Sequence, residues 1–226
     1  MIGIITAMEK EMEALSIENA RVETVGGIRF TRGTVAGKEV AAAVCGIGKV
    51  FAAMCTQTLA LHFHPEFIIN CGVAGALAPG LRVFDLAVGT AAVQYDMDTT
   101  PLGDPLGLIS GLDLVELPCD RALSEKLMDA AGDLGLHAEA GLIATADRFC
   151  GSAADKAAIL EKFPAIACEM EGGAVAQVCA ANKIPCCLFR AISDSADGDA
   201  SVSYETFAAE AAKNAGKLMT AFLQRL

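Results

Sequence analysis

The sequence predicts an α/β fold of three layers, a mixed central sheet flanked by helices on both faces. Two observations carry that prediction. From residue 40 to the end, strand-like and helix-like segments alternate, and helices that connect strands of one sheet must cover its faces. The strand-like segments 67–71, 165–169 and 186–193 are also apolar nearly throughout, as in strands buried on both sides, instead of at every second position. No linker, low-complexity stretch or internal repeat divides the 226 residues, so residues 1–226 read as one domain with a substantial core.

The elements follow in order. Residues 2–6 form the first strand and 9–15 a helix. Gly26-Gly27 opens a strand pair: 28–35 alternates, Ala36-Gly37-Lys38 turns the chain and 39–45 returns. Gly46-Ile47-Gly48 is a tight turn into a helix over 49–64, closed by Pro65. Strand 67–71 enters a glycine-rich loop, 72–80, and 86–93 is a further strand. Residues 95–118, rich in Asp, Gly and Pro, are too long for a plain connector and read as a functional or interface loop. A helix over 119–134, with Asp120 as its cap, leads to strand 139–145 and loop 146–152. A short helix over 153–162, ended by Pro164, precedes strand 165–169, helix 172–182 and strand 186–193. A polar loop, 195–203, leads to a terminal helix over 204–225.

Composition excludes several classes. Hydrophobic residues make up 54%, yet no apolar run reaches 18 residues, so no membrane span is expected. The N-terminus lacks the basic and apolar regions of a signal peptide. A net charge of −11 without any Lys/Arg run disfavours nucleic acid and anionic membranes as partners. The nine cysteines are odd in number, sit in apolar stretches and form no pair of CxxC motifs; they read as buried, reduced thiols of a cytoplasmic protein. Cys186 and Cys187 are adjacent on a strand and should face opposite ways. Three histidines are too few for a His-based metal site, and His62 and His64 suit a helix C-terminus.

Acids gather at the ends of strands. Ala167-Cys168-Glu169-Met170-Glu171-Gly172 and Phe189-Arg190-Ala191-Ile192-Ser193-Asp194 each run from apolar strand to carboxylate, and Glu9, Glu11 and Glu13 follow strand one. In open α/β sheets the carboxyl ends of strands border the ligand crevice. Three acidic strand ends without a metal-ligand cluster suggest acid/base work on a neutral or cationic substrate.

Five motifs then occur in one order: residues 2–11, Cys45-Gly46-Ile47-Gly48-Lys49-Val50, Ile69-Asn70-Cys71-Gly72-Val73-Ala74-Gly75, Glu169-Met170-Glu171, and Arg190-Ala191-Ile192-Ser193-Asp194. Together they resemble bacterial 5′-methylthioadenosine/S-adenosylhomocysteine nucleosidases, over residues 1 to about 210. The resemblance implies a nucleoside phosphorylase-like fold, a homodimer, a small-molecule nucleoside substrate, and hydrolysis of the adenine–ribose bond without cofactor or metal.

It also implies roles. N-glycosidic hydrolysis needs an acid at the leaving group and a base for water. Asp194 matches the acid at adenine N7, a role that requires a raised pKa, which burial among apolar residues can supply. Glu11 matches the base; register leaves Glu9, Glu11 and Glu13 open, and the resemblance selects Glu11. Glu171 matches the carboxylate that holds the ribose hydroxyls, near charge developing on the sugar. Met170 packs on the ribose or serves as a core methionine. Glu169 reads as structural, with assistance to the ribose as the alternative. Phe149 matches the aromatic that stacks on adenine, and Cys150 the position whose backbone reads the base edge. Phe207 and Ile47 match apolar walls around the 5′ group, and Val73, Ala74 and Gly75 approach by backbone. The chain departs from the pattern with Val73 where many relatives carry Ser, with Cys150 in place of an aliphatic residue, and in the 95–118 loop, which in relatives borders the neighbouring subunit's pocket.

Rival readings are weighed on residues. Phosphorylases of this fold hold phosphate with arginines near strand one and before the glycine loop; here those places carry Glu9, Glu11 and Phe67-Ile68-Ile69-Asn70. A futalosine-type or other purine-nucleoside hydrolase would use the same acids. A phosphate-loop module fails on Ala43, Val50 and Phe51, which stand where the templates need Gly, Ser/Thr and Gly. A silent nucleoside-binding protein would differ from an enzyme by releasing no adenine.

Overall fold

The computed structural model of the chain describes residues 1–196 and 200–226. In chain order the elements are β1 (Ile2–Thr6), α1 (Glu9–Met12), β2 (Glu18–Val25), β3 (Ile28–Val35), β4 (Lys38–Val44), α2 (Lys49–Phe63), β5 (Ile68–Ala76), β6 (Leu86–Gln94), β7 (Leu117–Pro118), α3 (Arg121–Asp133), β8 (Ala138–Thr145), α4 (Ala153–Lys162), β9 (Ala165–Glu169), α5 (Gly172–Asn182), β10 (Cys186–Asp194) and α6 (Ala200–Gln224). The strands form one mixed sheet in the order β10-β6-β8-β9-β5-β1-β4-β3-β2, with β7 attached to β6. β1 runs parallel to β4 and β5, while β2, β3 and β4 form an antiparallel meander. β10 pairs with β5 as well as with β6, so β5, β10, β6, β8 and β9 close on themselves.

Strand residues alternate between two helical covers, which produces the three predicted layers. Ile4, Ile69, Cys187 and Phe189 pack on one side with Leu127 of α3 and Leu218, Met219 and Phe222 of α6. Ile5, Ile68, Cys186 and Leu188 pack on the other with Cys55 and Leu59 of α2 and Val175 and Cys179 of α5. Cys186 and Cys187 therefore do face opposite ways. All nine cysteines are free thiols, and all but Cys45 are buried.

The structure revises several boundaries. β2 has no counterpart in the sequence reading. It lies at the sheet's edge with exposed residues along most of its length, so neither face leaves an apolar signature. Gly26-Gly27 is the two-residue turn between β2 and β3, with φ of 58° and 80°, where glycine is accommodated without strain. α1 is a single helical turn; Leu15 N bonds to Met12 O in a tight turn, and Leu15 is drawn into the core. β5 absorbs the first half of the expected glycine-rich loop because β10 and β9 pair with it as far as Gly75 and Ala76. The 95–118 segment contains a 3₁₀ turn, Thr100–Leu102, and β7. α6 begins at Ala200 instead of Tyr204, and residues 197–199 of the expected polar loop 195–203 lie outside the described residues.

One buried cation ties the strands that matter most. Arg190 of β10 is 1% exposed. Its guanidinium donates to the carbonyls of Asn70 at 3.0 Å and Phe189 at 2.9 Å, to the Asn70 side chain, and to Glu169 Oε2 at 2.5 Å. Neighbouring strands β10, β5 and β9 are thereby fixed at one level. Removing one partner of a buried pair leaves the other charge unpaired, at a cost of about 3–5 kcal/mol. Arg190→Met is expected to lose stability on that scale in urea unfolding, and adding Glu169→Gln should recover part of the loss; equal stability of Arg190→Met and the parent chain would remove Arg190 from this role.

Candidate active site

A cavity of about 280 Å³ opens where β1, β5, β9 and β10 end or bend. Its wall contains Glu11, Glu171 and Asp194, brought together from three separate segments.

Glu11 is the third residue of α1 and folds back over the strand it follows. Its Oε2 accepts from Ala7 N at 2.9 Å and Met8 N at 3.0 Å, and its Oε1 accepts from Val73 N at 3.0 Å. A carboxylate at this helical position reaches back to otherwise free N–H groups. Register thus selects Glu11 from its two acidic neighbours: it is 5% exposed, whereas Glu9 and Glu13 are not buried. Burial raises its pKa, opposed in part by Arg190 and by the three N–H bonds.

Glu171 sits at the N-terminus of α5 and is 7% exposed. Its Oε1 accepts from Gly48 N at 2.7 Å, which links the Gly46-Ile47-Gly48 turn to the end of β9. Burial and the neighbouring charge of Glu169 push its pKa up to about 7. Glu169 itself is occupied: it accepts from Glu171 N at 2.9 Å, Gly172 N at 2.6 Å, Thr145 Oγ1 and Arg190. Those contacts fit the structural reading of Glu169.

Asp194 ends β10 and is 2% exposed. Ser193 Oγ donates to Oδ2 and Ala196 N donates to Oδ1, each at 2.9 Å. Two glycines of β5 make room for the acids. A Cβ on Gly72 would lie 2.6 Å from Glu11 Oε1, and one on Gly75 would lie 2.7 Å from Asp194 Oδ1. Any larger residue there would displace a carboxylate.

Of the other expected residues, Ile47, Val73, Ala74, Gly75, Phe149 and Met170 line the same cavity. Cys150 lines a small adjoining cavity of about 30 Å³, together with Phe149, Met170 and Asp194. Phe207 is not brought to the site. Its ring packs edge-on against Phe84 at 5.6 Å, where the loop before β6 offers an apolar partner. Tyr204, three positions earlier on α6, lines the cavity instead. Its hydroxyl donates to Met8 Sδ at 3.0 Å, its ring meets Phe149 edge-on at 5.9 Å, and the Lys10 ammonium lies 4.5 Å above it. Sequence reasoning passed over Tyr204, although its spacing from Phe207 puts both near one face of a helix. It also passed over Lys49, whose Nζ meets Asp96 Oδ1 at 2.6 Å while Asp96 and Asp147 accept from Asp147 N and Lys49 N. That network joins the start of α2 to the 95–118 segment and to the loop after β8.

The chain is similar to known proteins along its whole length. The family model described as "Phosphorylase superfamily" matches residues 1–224. A 5′-methylthioadenosine/S-adenosylhomocysteine nucleosidase of Geobacillus kaustophilus is 40% identical over 225 residues, 98% of this chain and 95% of that one. The crystal structure of a nucleosidase of the same name from Neisseria meningitidis, in complex with methylthio-immucillin-A, superposes with a TM-score of 0.96 at 36% identity, covering 100% and 99% of the two chains. A futalosine hydrolase of Helicobacter pylori superposes with a TM-score of 0.94 at 32% identity, covering 100% and 97%.

The raised carboxylates make stability depend on pH with a definite sign. The folded state holds the Glu171 proton more tightly than the unfolded chain does. That contribution is complete below 4.5 and is lost as pH rises through about 7. Glu11 acts in the same direction. Urea unfolding should show stability falling between about pH 5 and about pH 8, with Glu171→Gln removing at most about 3 kcal/mol of the fall. An identical slope in the variant would place the titration elsewhere.

Proposed function

The chain belongs to the phosphorylase superfamily, and from that premise we propose that it hydrolyses the N-glycosidic bond of 5′-methylthioadenosine and S-adenosylhomocysteine, releasing adenine and the 5-thioribose product. The observation that carries this reading is the meeting of Glu11, Glu171 and Asp194 in one cavity. Its companion is the 40% and 36% identity to nucleosidases of that name.

Each acid has one task. As the bond between ribose C1′ and adenine N9 lengthens, its electrons move into the base, and Asp194 delivers a proton to N7 so that adenine leaves neutral. Water attacks C1′ and gives its proton to Glu11, whose affinity for a proton is raised by burial. Glu171 takes the ribose hydroxyls as donors, and its charge faces the positive charge that develops on the sugar. Phe149 stacks on the base, Cys150 presents backbone to its edge, and Met170 packs on the ribose. Val73, Ala74 and Gly75 border the sugar by backbone, with Ile47 at the mouth. Tyr204 takes the place in the wall that Phe207 does not fill.

Water is favoured over phosphate as nucleophile. Among the described residues, the cavity wall carries no Lys, Arg or His. Arg190, the nearby cation, is engaged by Glu169 and Asn70. A dianion beside Glu11 would meet a like charge. A second reading, a futalosine-type hydrolase, is favoured by the 0.94 superposition on the Helicobacter pylori enzyme and would use the same acids. The protein acts in the cytoplasm as a homodimer. Ile47, Val50, Phe51 and Met54 of the turn and α2, and Leu102 beyond β6, expose large apolar surface, and Ile47 also lines the cavity. A second subunit would cover it and border the 5′ end. No described helix is long and apolar enough to cross a membrane.

Release of the free base, adenine from 5′-methylthioadenosine, S-adenosylhomocysteine and adenosine and hypoxanthine from inosine and futalosine, with and without phosphate, tests the reading. Phosphate-independent adenine from the thio-nucleosides is expected. Phosphate dependence would make the protein a phosphorylase, and preference for futalosine would favour the second reading.

The residue roles are tested separately. Asp194→Asn should lower kcat by about 10²–10⁴-fold with unfolding behaviour unchanged, because an amide supplies no proton. Glu11→Gln should lose hydrolysis on the same scale while still binding a thio-nucleoside analogue in calorimetry. Loss of binding alone would make Glu11 a positioning residue.

A further inference from the structure

Two thiols meet at the wall of this site, and the proposed reaction uses neither. Cys168 is the penultimate residue of β9 and lines both the main and the adjoining cavity. Cys150 lies in the loop after β8 and lines the adjoining one. β8 and β9 are parallel neighbours, with Ala144 beside Cys168, so that loop turns back across the end of β9. There both residues line the same cavity of about 30 Å³. Cys168 Sγ also lies within 3.6 Å of Gly75 O, and Cys150 Sγ within 3.9 Å of Ala196 O.

We propose that Cys150 and Cys168 are a reversible oxidation site, joined into a disulfide by a hydroperoxide that enters through the cavity, and that the disulfide shuts the site down. The chemistry balances. The Cys150 thiolate attacks one peroxide oxygen, the O–O bond breaks, and the second oxygen leaves as water after taking a proton. Cys150 is then a sulfenic acid. The Cys168 sulfur attacks it, the S–S bond forms, and the sulfenic oxygen leaves as a second water. The two sulfurs lose two electrons between them, and the peroxide gains two.

The local charges assign the order. The neighbouring Cys168 lowers the Cys150 pKa, with help from Lys156, against burial and the charges of Asp155 and Asp194. The neighbouring Cys150 and burial raise that of Cys168. Cys150 is therefore the attacking thiolate and Cys168 the resolving thiol. By contrast, burial drives the Cys71 thiol up to about 12.

The link would act on Asp194. A point above Gly75 lies 2.7 Å from Asp194 Oδ1 and 3.3 Å from Cys168 Sγ, so the acid and the thiol share one small volume. Pulling Cys168 toward Cys150 moves that wall and the loop carrying Phe149. Displacement by about 1 Å near a reacting group can cost on the order of 100-fold in rate.

The test treats the full chain with limiting hydrogen peroxide. Adenine release from 5′-methylthioadenosine is followed, and non-reduced peptides are mapped by mass. The expected result is a Cys150–Cys168 cross-link appearing in step with a loss of about 100-fold in activity, both reversed by dithiothreitol. In Cys168→Ser the cross-link and the accompanying loss of activity should both vanish; Cys150→Ala checks the same link from the other side if the first variant folds poorly. A link between Cys119 and Cys186 in its place, or full activity in cross-linked protein, would overturn the proposal. The activity arm rests on the proposed function and the peptide map does not: untreated protein that releases no adenine yet forms the link would fail the functional reading alone.

Discussion

The guanidinium of Arg190 is the constraint on which the rest depends. It is buried beside β5 and between the acidic ends of β9 and β10, and it interacts with Glu169, Glu171 and Glu11. Burial alone would lower its pKa; those three carboxylates reverse the effect and raise it. The dependence is mutual. Without the cation, three acids of 5%, 7% and 8% exposure would repel one another in a poorly solvated space. Without the acids, a buried cation would have only carbonyls for company. A buried ion pair need not add stability over an apolar replacement, but it does impose one geometry.

That geometry divides the labour among the acids. Glu169 spends its oxygens on Arg190, Thr145 and the first turn of α5. Glu171 is left with one bond from Gly48 and a pKa near neutrality. Glu11 lies between these cases, held by three N–H groups and still raised by burial. Burial raises both Glu11 and Glu171, and the charge of Glu169 raises Glu171 further while fewer N–H groups oppose the shift there.

Much of this was legible in the chain. Apolar runs ending in Glu169 and Asp194 marked strands whose ends meet, since strands buried on both faces read as continuous hydrophobic sequence. The glycine-rich segment after Ile69 was visible, but its meaning was not. Gly72 and Gly75 belong to a strand and leave space for two particular carboxylates, a relation between residues far apart in sequence. β2 was invisible because an edge strand buries little. Phe207 and Tyr204 exchanged places because a motif fixes a helix but not its rotation against the site. Arg190 read as part of a strand, and only the fold reveals that it lies beneath the acids.

The closing of β10 onto β5 also has consequences far from the chemistry. A sheet that meets itself at one end has only one long free margin, and here that margin is β2. An unpaired strand edge invites a second chain to add on, which is the first step toward aggregation. β2 carries Glu18, Arg21 and Glu23 along its exposed length, and only Val22 stands out as a large exposed apolar residue there. The same polarity that hid this strand from sequence pattern makes it a poor template for intermolecular pairing. Replacing those charges with β-branched residues would leave the cavity untouched and give the molecule an adhesive rim.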